Sequence, residues 1–430
     1  MTHSNEWGLR SWKVFPGGSL GEYNLPRELS IVLTRGKGAY VYDAEGNEYV
    51  DFTMGWGSVI LGHAHPKICE AVRDRVVQGS NFSYVSEPAL ELAEELIRAV
   101  PCAEKVRFCA SGTEATMYAV RFARAFRKRD KIVKFEGAYH GANEFGSISL
   151  FPKRLVDFPQ ANPTSAGITE KTCSEVLIAP YNDLETTSRI IAEYASEIAG
   201  VIVEPLHRCT SPLPGFLEGL REITRKHGIL LIFDECVTGF RLSYGGAQQY
   251  YGVKPDLAAL GKALGGGYPV GAIVGRAEIL DLCDESTLGR DGYVWFASTL
   301  GGNPVTTSAS LATLEELRKP GTYERLFVMG EKLRNGFRDV LKEVGVTAQV
   351  LGDGPLCALS FTGEKVVDYR SAFRADSEKA RAFVLGLFRN RIFLNPMSTK
   401  LYISTAHGEA EIDAILDAGR KVLKEIAGRG

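Results

Sequence analysis

Short aliphatic and β-branched runs alternate with segments of helical periodicity through the middle of the chain. The runs fall at 106–109, 131–135, 175–179, 200–204, 229–233 and 272–275. Each is strand length, and alternation with helices predicts a mostly parallel sheet covered on both faces. Two of the helices have readable ends. One follows a Ser-Gly start and runs from Thr113 to about Lys128, and the other spans 215–227 and closes at Gly228. Upstream, 40–42 and 48–52 flank the turn Asp43-Ala44-Glu45-Gly46, which marks a hairpin. Beyond Pro304 the pattern changes to long amphipathic helices at 304–318 and 322–344. Strands near 355–361 and 400–404 and a helix from about 409 to 427 follow. The expected organisation is an N-terminal segment (1–65) joined to a small domain, a large doubly wound α/β domain (66–305) and a smaller C-terminal α+β domain (306–430).

A chain of 430 residues has room for two or three domains. Lys and Arg number 50 against 52 Asp and Glu, so no basic excess is available for nucleic acid or anionic lipid. The apolar runs fall short of the roughly 20 residues that cross a bilayer. No secretory or transit signal is visible, and the expected compartment is the cytoplasm. The eight cysteines are spaced singly, which predicts free thiols and no zinc site. His63-Ala64-His65 lacks a third ligand nearby and reads as a turn before Pro66, so no metal is expected.

Three motifs carry chemistry. Ser111-Gly112-Thr113-Glu114-Ala115 joins a strand to a helix, leaving free backbone N–H groups and hydroxyls at a helix N-terminus. It fits a phosphate site, and taken alone it fits a plain N-cap as well. Asp234 and Glu235 end an apolar strand, the edge at which open α/β sheets bind ligands. A buried aspartate there needs a cationic or donor partner, such as a protonated pyridine nitrogen or a structural cap. Lys262 closes a short apolar segment before Gly265-Gly266-Gly267. Enclosure favours a nucleophilic amine able to form a Schiff base with an aldehyde.

In this order, together with Gly36-Lys37-Gly38-Ala39-Tyr40, Leu61-Gly62-His63-Ala64-His65-Pro66, Lys134-Phe135-Glu136-Gly137-Ala138-Tyr139-His140-Gly141, Tyr244-Gly245-Gly246-Ala247-Gln248 and Gly302-Asn303-Pro304, the chain resembles a known family. It is similar to the class III, fold-type I pyridoxal-phosphate aminotransferases, especially their glutamate-1-semialdehyde aminomutase branch. The resemblance runs from about Phe15 to the C-terminus. It implies pyridoxal 5'-phosphate as cofactor, a seven-stranded, mostly parallel sheet and a homodimer. It also implies roles: Lys262 joins the cofactor and shuttles the proton, Asp234 pairs with the ring nitrogen, and Tyr139 stacks on the ring. Ser111, Gly112 and Thr113 hold the phosphate, His140 and Glu204 complete the cofactor shell, and Thr299 reaches the neighbouring subunit's phosphate.

The substrate end departs from the family pattern. Where an arginine and a serine grip the aminomutase substrate's carboxylate, this chain has Asn24 and Gly21, with Arg27 nearby. An expected glutamate falls on Thr399, beside Lys400. After Glu204-Pro205 the chain reads Leu206-His207-Arg208-Cys209, where His207 or Arg208 could meet the cofactor oxygen or a substrate acid group, or simply pack and solvate. Trp56, Phe82 and Tyr84 are candidates to line an apolar entrance, or equally a core or dimer interface. The expected function is transamination between an amino acid or amine donor and a keto or aldehyde acceptor, both small molecules. The alternatives are aminomutase isomerisation, racemase or lyase chemistry on the same scaffold, and a noncatalytic cofactor-binding regulator.

Overall fold

Asp234, Lys262 and the Ser111–Thr113 turn all stand at strand ends of one seven-stranded sheet. The computed structural model describes residues 3–21, 25–289 and 292–428. It divides into one unit of residues 1–69, 319–366 and 370–430 and another of residues 70–318 and 367–369. The chain begins with strands β1 (Leu33–Lys37), β2 (Tyr40–Asp43) and β3 (Glu48–Asp51). The expected hairpin is β2–β3, turning where the Asp43 carboxylate accepts from the Glu45 and Asn47 backbone N–H groups.

The second unit holds β4 (Lys105–Cys109), β5 (Lys131–Phe135), β6 (Val176–Ala179), β7 (Ile198–Val203), β8 (Leu230–Asp234), β9 (Leu257–Gly261) and β10 (Gly271–Gly275). Their spatial order is β4-β10-β9-β8-β7-β5-β6. Every pairing from β9 to β6 is parallel, whereas β10 runs antiparallel to both β9 and β4. All residues of β6 to β10 are buried, because helices cover both faces and only continuous apolar runs tolerate that environment. The helix Gly112–Arg127 lays Ala115, Ala119, Phe122 and Ala123 against Ile132, Ala199, Ile202 and Ile232 of this core.

Pattern reading missed β9 as a strand. Leu257-Ala258-Ala259-Leu260-Gly261 has no β-branched or aromatic residue, so its strand character comes from pairing with β8 and β10 rather than from propensity. The helix Pro304–Leu317 groups with the sheet unit. Thr307, Ser310 and Thr313 are buried on it, their hydroxyls donating to Asn303, Thr306 and Ala309 carbonyls at 3.0, 2.9 and 2.7 Å. Hydroxyls satisfied within their own helix can be buried at little cost.

The first unit resumes with β11 (Gln349–Leu351), β12 (Leu356–Ser360), β13 (Ile392–Phe393) and β14 (Leu401–Tyr402). β13 joins β3 in parallel, and β11-β12-β14 form a small sheet of their own. The helices Thr322–Val344, Ser377–Arg389 and Glu409–Ala427 pack beside them. Gly419 permits close approach, since a Cβ there would come 2.8 Å from the Phe337 ring. His63 Nε2 lies 2.7 Å from Asp51 Oδ2 within this unit, and Ala64, at φ +50, forms the turn before the helix Pro66–Val76.

Candidate active site

Three strand ends and one loop bring the site together. β8 ends at Asp234, whose side chain is buried. Oδ1 accepts from the Cys236 N–H at 3.1 Å, and Oδ2 lies 2.8 Å from His140 Nδ1. Burial works against ionisation, but the His140 hydrogen bond and charge, the Lys262 charge and the Cys236 N–H outweigh it. The carboxyl is therefore held below its ordinary 3.8. A buried, ionised carboxylate at a sheet edge is set to face a protonated partner.

β9 delivers Lys262. The residue is half-buried and has φ +45, left-handed backbone that costs a lysine about 1–3 kcal/mol and turns the chain sharply into a 3₁₀ turn, Lys262–Gly265. Gly261 before it neighbours the helix start: a Cβ there would lie 3.7 Å from Gly112, an ordinary contact distance. Gly112 is itself cramped, since its Cβ would come 2.7 Å from Cys236 Sγ. The Lys262 charge acts on Asp234, and Gly112, at the start of the helix Gly112–Arg127, packs against Cys236 where a side chain larger than hydrogen does not fit.

Ser111 caps that helix, accepting from the Glu114 N–H at 3.2 Å. Thr113 Oγ1 accepts from the Ala142 N–H at 3.2 Å, and Thr116 Oγ1 donates to the His140 carbonyl at 2.6 Å. These bonds tie the helix start to the loop after β5, which carries Tyr139 and His140. Tyr139 is 39% exposed, an aromatic ring within reach of a planar ligand at this sheet end. Glu114 extends the network, accepting from Ala110 N–H at 2.7 Å and Ser298 Oγ at 3.0 Å. Thr299 next to it is exposed, its carbonyl accepting from Asn81 Nδ2 at 3.1 Å.

Lys134 supports the same loop and had no role in the sequence reading. Its Nζ is fully buried and donates to the carbonyls of Ala138, Gly146 and Ile148 at 3.1, 3.0 and 2.6 Å, with Phe145 O at 3.4 Å. Burial chiefly pushes this amine down to about 7. A lysine amid Lys131-Ile132-Val133-Lys134-Phe135, a strand with both faces covered, was the available signal.

The remaining candidates are dispersed. Glu204 follows β7 half-buried, with Oε2 lacking a hydrogen-bond partner among the described residues and His207 Nδ1 at 3.6 Å. His207 is buried, stacks on Tyr181, and is pushed by burial down to about 4, so it is neutral at pH 7. Arg208 borders Tyr139, its guanidinium carbon 5.8 Å from the ring centroid. Tyr84 is exposed on the segment preceding the helix Glu87–Ala99. Trp56 belongs to the other unit, on a turn where it has φ +57. Thr399, also in that unit, exchanges hydrogen bonds with the Leu359 backbone, donating at 2.6 Å and accepting at 3.2 Å. Arg27 stacks on Trp12. Asn24 lies outside the described residues.

The residues in the sheet unit fit pyridoxal phosphate. Asp234 suits a protonated ring nitrogen, Lys262 an aldehyde carbon, Tyr139 a ring face, and the N-terminus of a 16-residue helix a phosphate.

The chain matches the family model for aminotransferase class-III over residues 24–406. It is 38% identical over 432 residues to a glutamate-1-semialdehyde 2,1-aminomutase of Thermodesulfovibrio yellowstonii, covering 99% of each protein. An omega-transaminase structure from Sphaerobacter thermophilus is 37% identical with a TM-score of 0.92, over 100% of this chain and 98% of that one. A transaminase structure with PLP bound is 29% identical with a TM-score of 0.90, over 100% of both chains. Agreement of this length, carried on the same fold, means that the chain belongs to the class-III aminotransferases, a family of fold-type I enzymes.

Proposed function

We propose that this enzyme moves an amino group between two carbons of a small amino-carbonyl compound, an isomerisation of the glutamate-1-semialdehyde aminomutase kind. The observation that carries the reading is full-length similarity to a protein of that name. Pyridoxal phosphate, when bound, supplies an aldehyde that captures amines and a conjugated ring that accepts electron density from the amine-bearing carbon. In this reading the Lys262 amine would hold the cofactor and, once free, would act as the base and acid that carries a proton between the amine-bearing carbon of the substrate and the cofactor carbon across the nitrogen. Asp234 keeps the ring nitrogen protonated, and His140 keeps Asp234 aimed and charged. Ser111, Gly112 and Thr113 anchor the phosphate, Tyr139 covers the ring, and Glu204 lies at the edge. Tyr84 is assigned to the substrate entrance.

A second reading, transamination between separate donor and acceptor molecules, has specific support. The position expected to carry the carboxylate-gripping arginine is Asn24, and Thr399 spends its hydroxyl on the Leu359 backbone. Similarity to an omega-transaminase points the same way. Incubation with glutamate-1-semialdehyde alone separates the two. Stoichiometric 5-aminolevulinate with no added donor supports isomerisation; conversion only when a second amino compound is supplied supports transamination.

A homodimer belongs to the same proposal. Tyr84, Val85, Trp295 and Leu300 present apolar surface in the isolated chain, and Thr299, exposed between Trp295 and Leu300 in sequence, is assigned to a neighbouring subunit's phosphate. A sedimentation experiment giving a monomer at micromolar concentration would remove that part.

A further inference from the structure

The Arg208 guanidinium is only partly used by the described residues. After β7 the chain takes Arg208 and Cys209 into left-handed backbone, φ +52 and +71, a geometry that costs non-glycine residues about 1–3 kcal/mol each. Three contacts then fix the side chain. Nε donates to the Gly137 carbonyl at 3.1 Å, and the guanidinium carbon lies 4.9 Å from the Phe151 ring centroid and 5.8 Å from that of Tyr139. Nη2 is buried and has no hydrogen-bond partner among the described residues.

A buried donor without an acceptor is unfavourable, and the penalty is larger for a charged group. Nε is occupied by Gly137 and Nη2 is the nitrogen shown to lack an acceptor; together with Nη1 it forms the fork of a guanidinium that matches the two oxygens of a carboxylate. The Gly137 hydrogen bond and the two rings beside the guanidinium restrict its movement, so less side-chain freedom remains to be lost on binding. Arg208 also borders the ring proposed to cover the cofactor. An anion on the fork would therefore sit beside the reacting centre.

We propose that Arg208 binds the substrate's carboxylate, taking over the part that the aminomutase pattern gives to an arginine at the position of Asn24. The substrate class is then an amino or keto acid whose carboxylate lies apart from the amino-bearing carbon. The proposal rests on the amino-transfer reading above for the word substrate, while the binding event is measurable without turnover.

The test is calorimetric titration of cofactor-loaded enzyme with glutarate and with its uncharged diamide, glutaramide, for wild type, Arg208→Gln and Arg208→Lys. Cofactor content is read separately by base release. Wild type should bind glutarate roughly tenfold or more tightly than glutaramide, and Arg208→Gln should weaken glutarate roughly tenfold to a hundredfold. Glutaramide affinity and cofactor content should be unchanged. Arg208→Lys, which keeps the charge without the fork, should fall between, and it carries the test if the glutamine variant does not fold. Glutarate affinity within about twofold of wild type in these variants, or loss of cofactor with carboxylate affinity intact in the loaded fraction, overturns the proposal. Arg208-dependent glutarate binding by an enzyme inert toward every amino-carbonyl compound would uphold Arg208 and sink only the amino-transfer reading.

Discussion

His140 Nδ1 lies 2.8 Å from Asp234 Oδ2, and both side chains are buried. In the proposed function this pair sets the protonation of the cofactor's ring nitrogen. Asp234→Asn removes the charge while keeping the shape, so turnover should fall about a hundredfold or more with part of the cofactor retained. His140→Gln leaves the carboxylate in place with a weaker partner, and about a tenfold loss is expected. Steady-state kinetics on both variants checks this ordering; equal effects would contradict it. Asp234's folded pKa lies below its unfolded value, so the stabilisation is present above the ordinary carboxylate range and is lost as pH falls through the folded pKa. Acid melts below about pH 4 should be flatter for Asp234→Asn than for wild type.

Glu235 has the opposite sign. It is buried beneath the turn at Gly245–Gly246, accepting from the Gln248 N–H at 3.3 Å and from Thr238 Oγ1 at 3.1 Å. Burial first of all raises it from 4.5 to about 7, despite these donors. The folded state therefore holds a proton that the unfolded chain releases, and its contribution to stability declines as pH rises from about 4.5 to 7. Glu235→Gln should remove that component, so the melting temperature of wild type relative to the variant should drop between pH 5 and pH 8. A constant difference would refute the assignment.

Lys134→Met tests the loop clamp. Removing the ammonium leaves several buried carbonyls without a donor, at a cost of about 1–3 kcal/mol. The lysine is depressed from 10.5 to about 7, so the unfolded chain binds the extra proton between those values and wild-type stability rises with pH across the window. The variant's deficit should therefore be larger at pH 9 than at pH 6.5. Limited proteolysis should also find new cleavage in 137–149; an unchanged digest would show that the clamp is dispensable.

Gly141 couples the Ser111–Thr113 turn to the loop that carries Tyr139. It has φ +90, and a Cβ there would come 2.7 Å from Thr113 Cα and Oγ1. Gly141→Ala should cost about 1–3 kcal/mol and displace Thr113. Affinity for pyridoxal phosphate should fall while that for pyridoxal, which lacks the phosphate, stays the same. Equal losses for both ligands would place the damage elsewhere.

The parts of this fold written as runs of β-branched residues were legible before any coordinates. Ile132-Val133 and Val201-Ile202-Val203 announce central strands, and the helix 322–344 is bounded by glycines at 321 and 345 that take left-handed backbone. β9 was not legible as a strand, because alanine, leucine and glycine carry no strand preference of their own and pairing supplies it. At the site, Lys262, Asp234 and the Ser111–Thr113 turn stood out because charged and hydroxyl groups interrupt apolar runs at strand ends. Lys134 interrupts a run in the same way, yet its four carbonyl neighbours come from a loop whose path no local pattern encodes. Thr399 illustrates the same limit. Its hydroxyl is committed to Leu359, forty positions away in sequence.

The central claim is that Lys262, and no other amine, is the covalent seat of the cofactor. Borohydride reduction of pyridoxal-phosphate-loaded enzyme, followed by peptide mapping, tests it directly. The account predicts one pyridoxyl-modified peptide per chain, bearing the label on Lys262 and absent from Lys262→Ala. Label on Lys134 or any other lysine, or a loaded enzyme that takes up none, would contradict it.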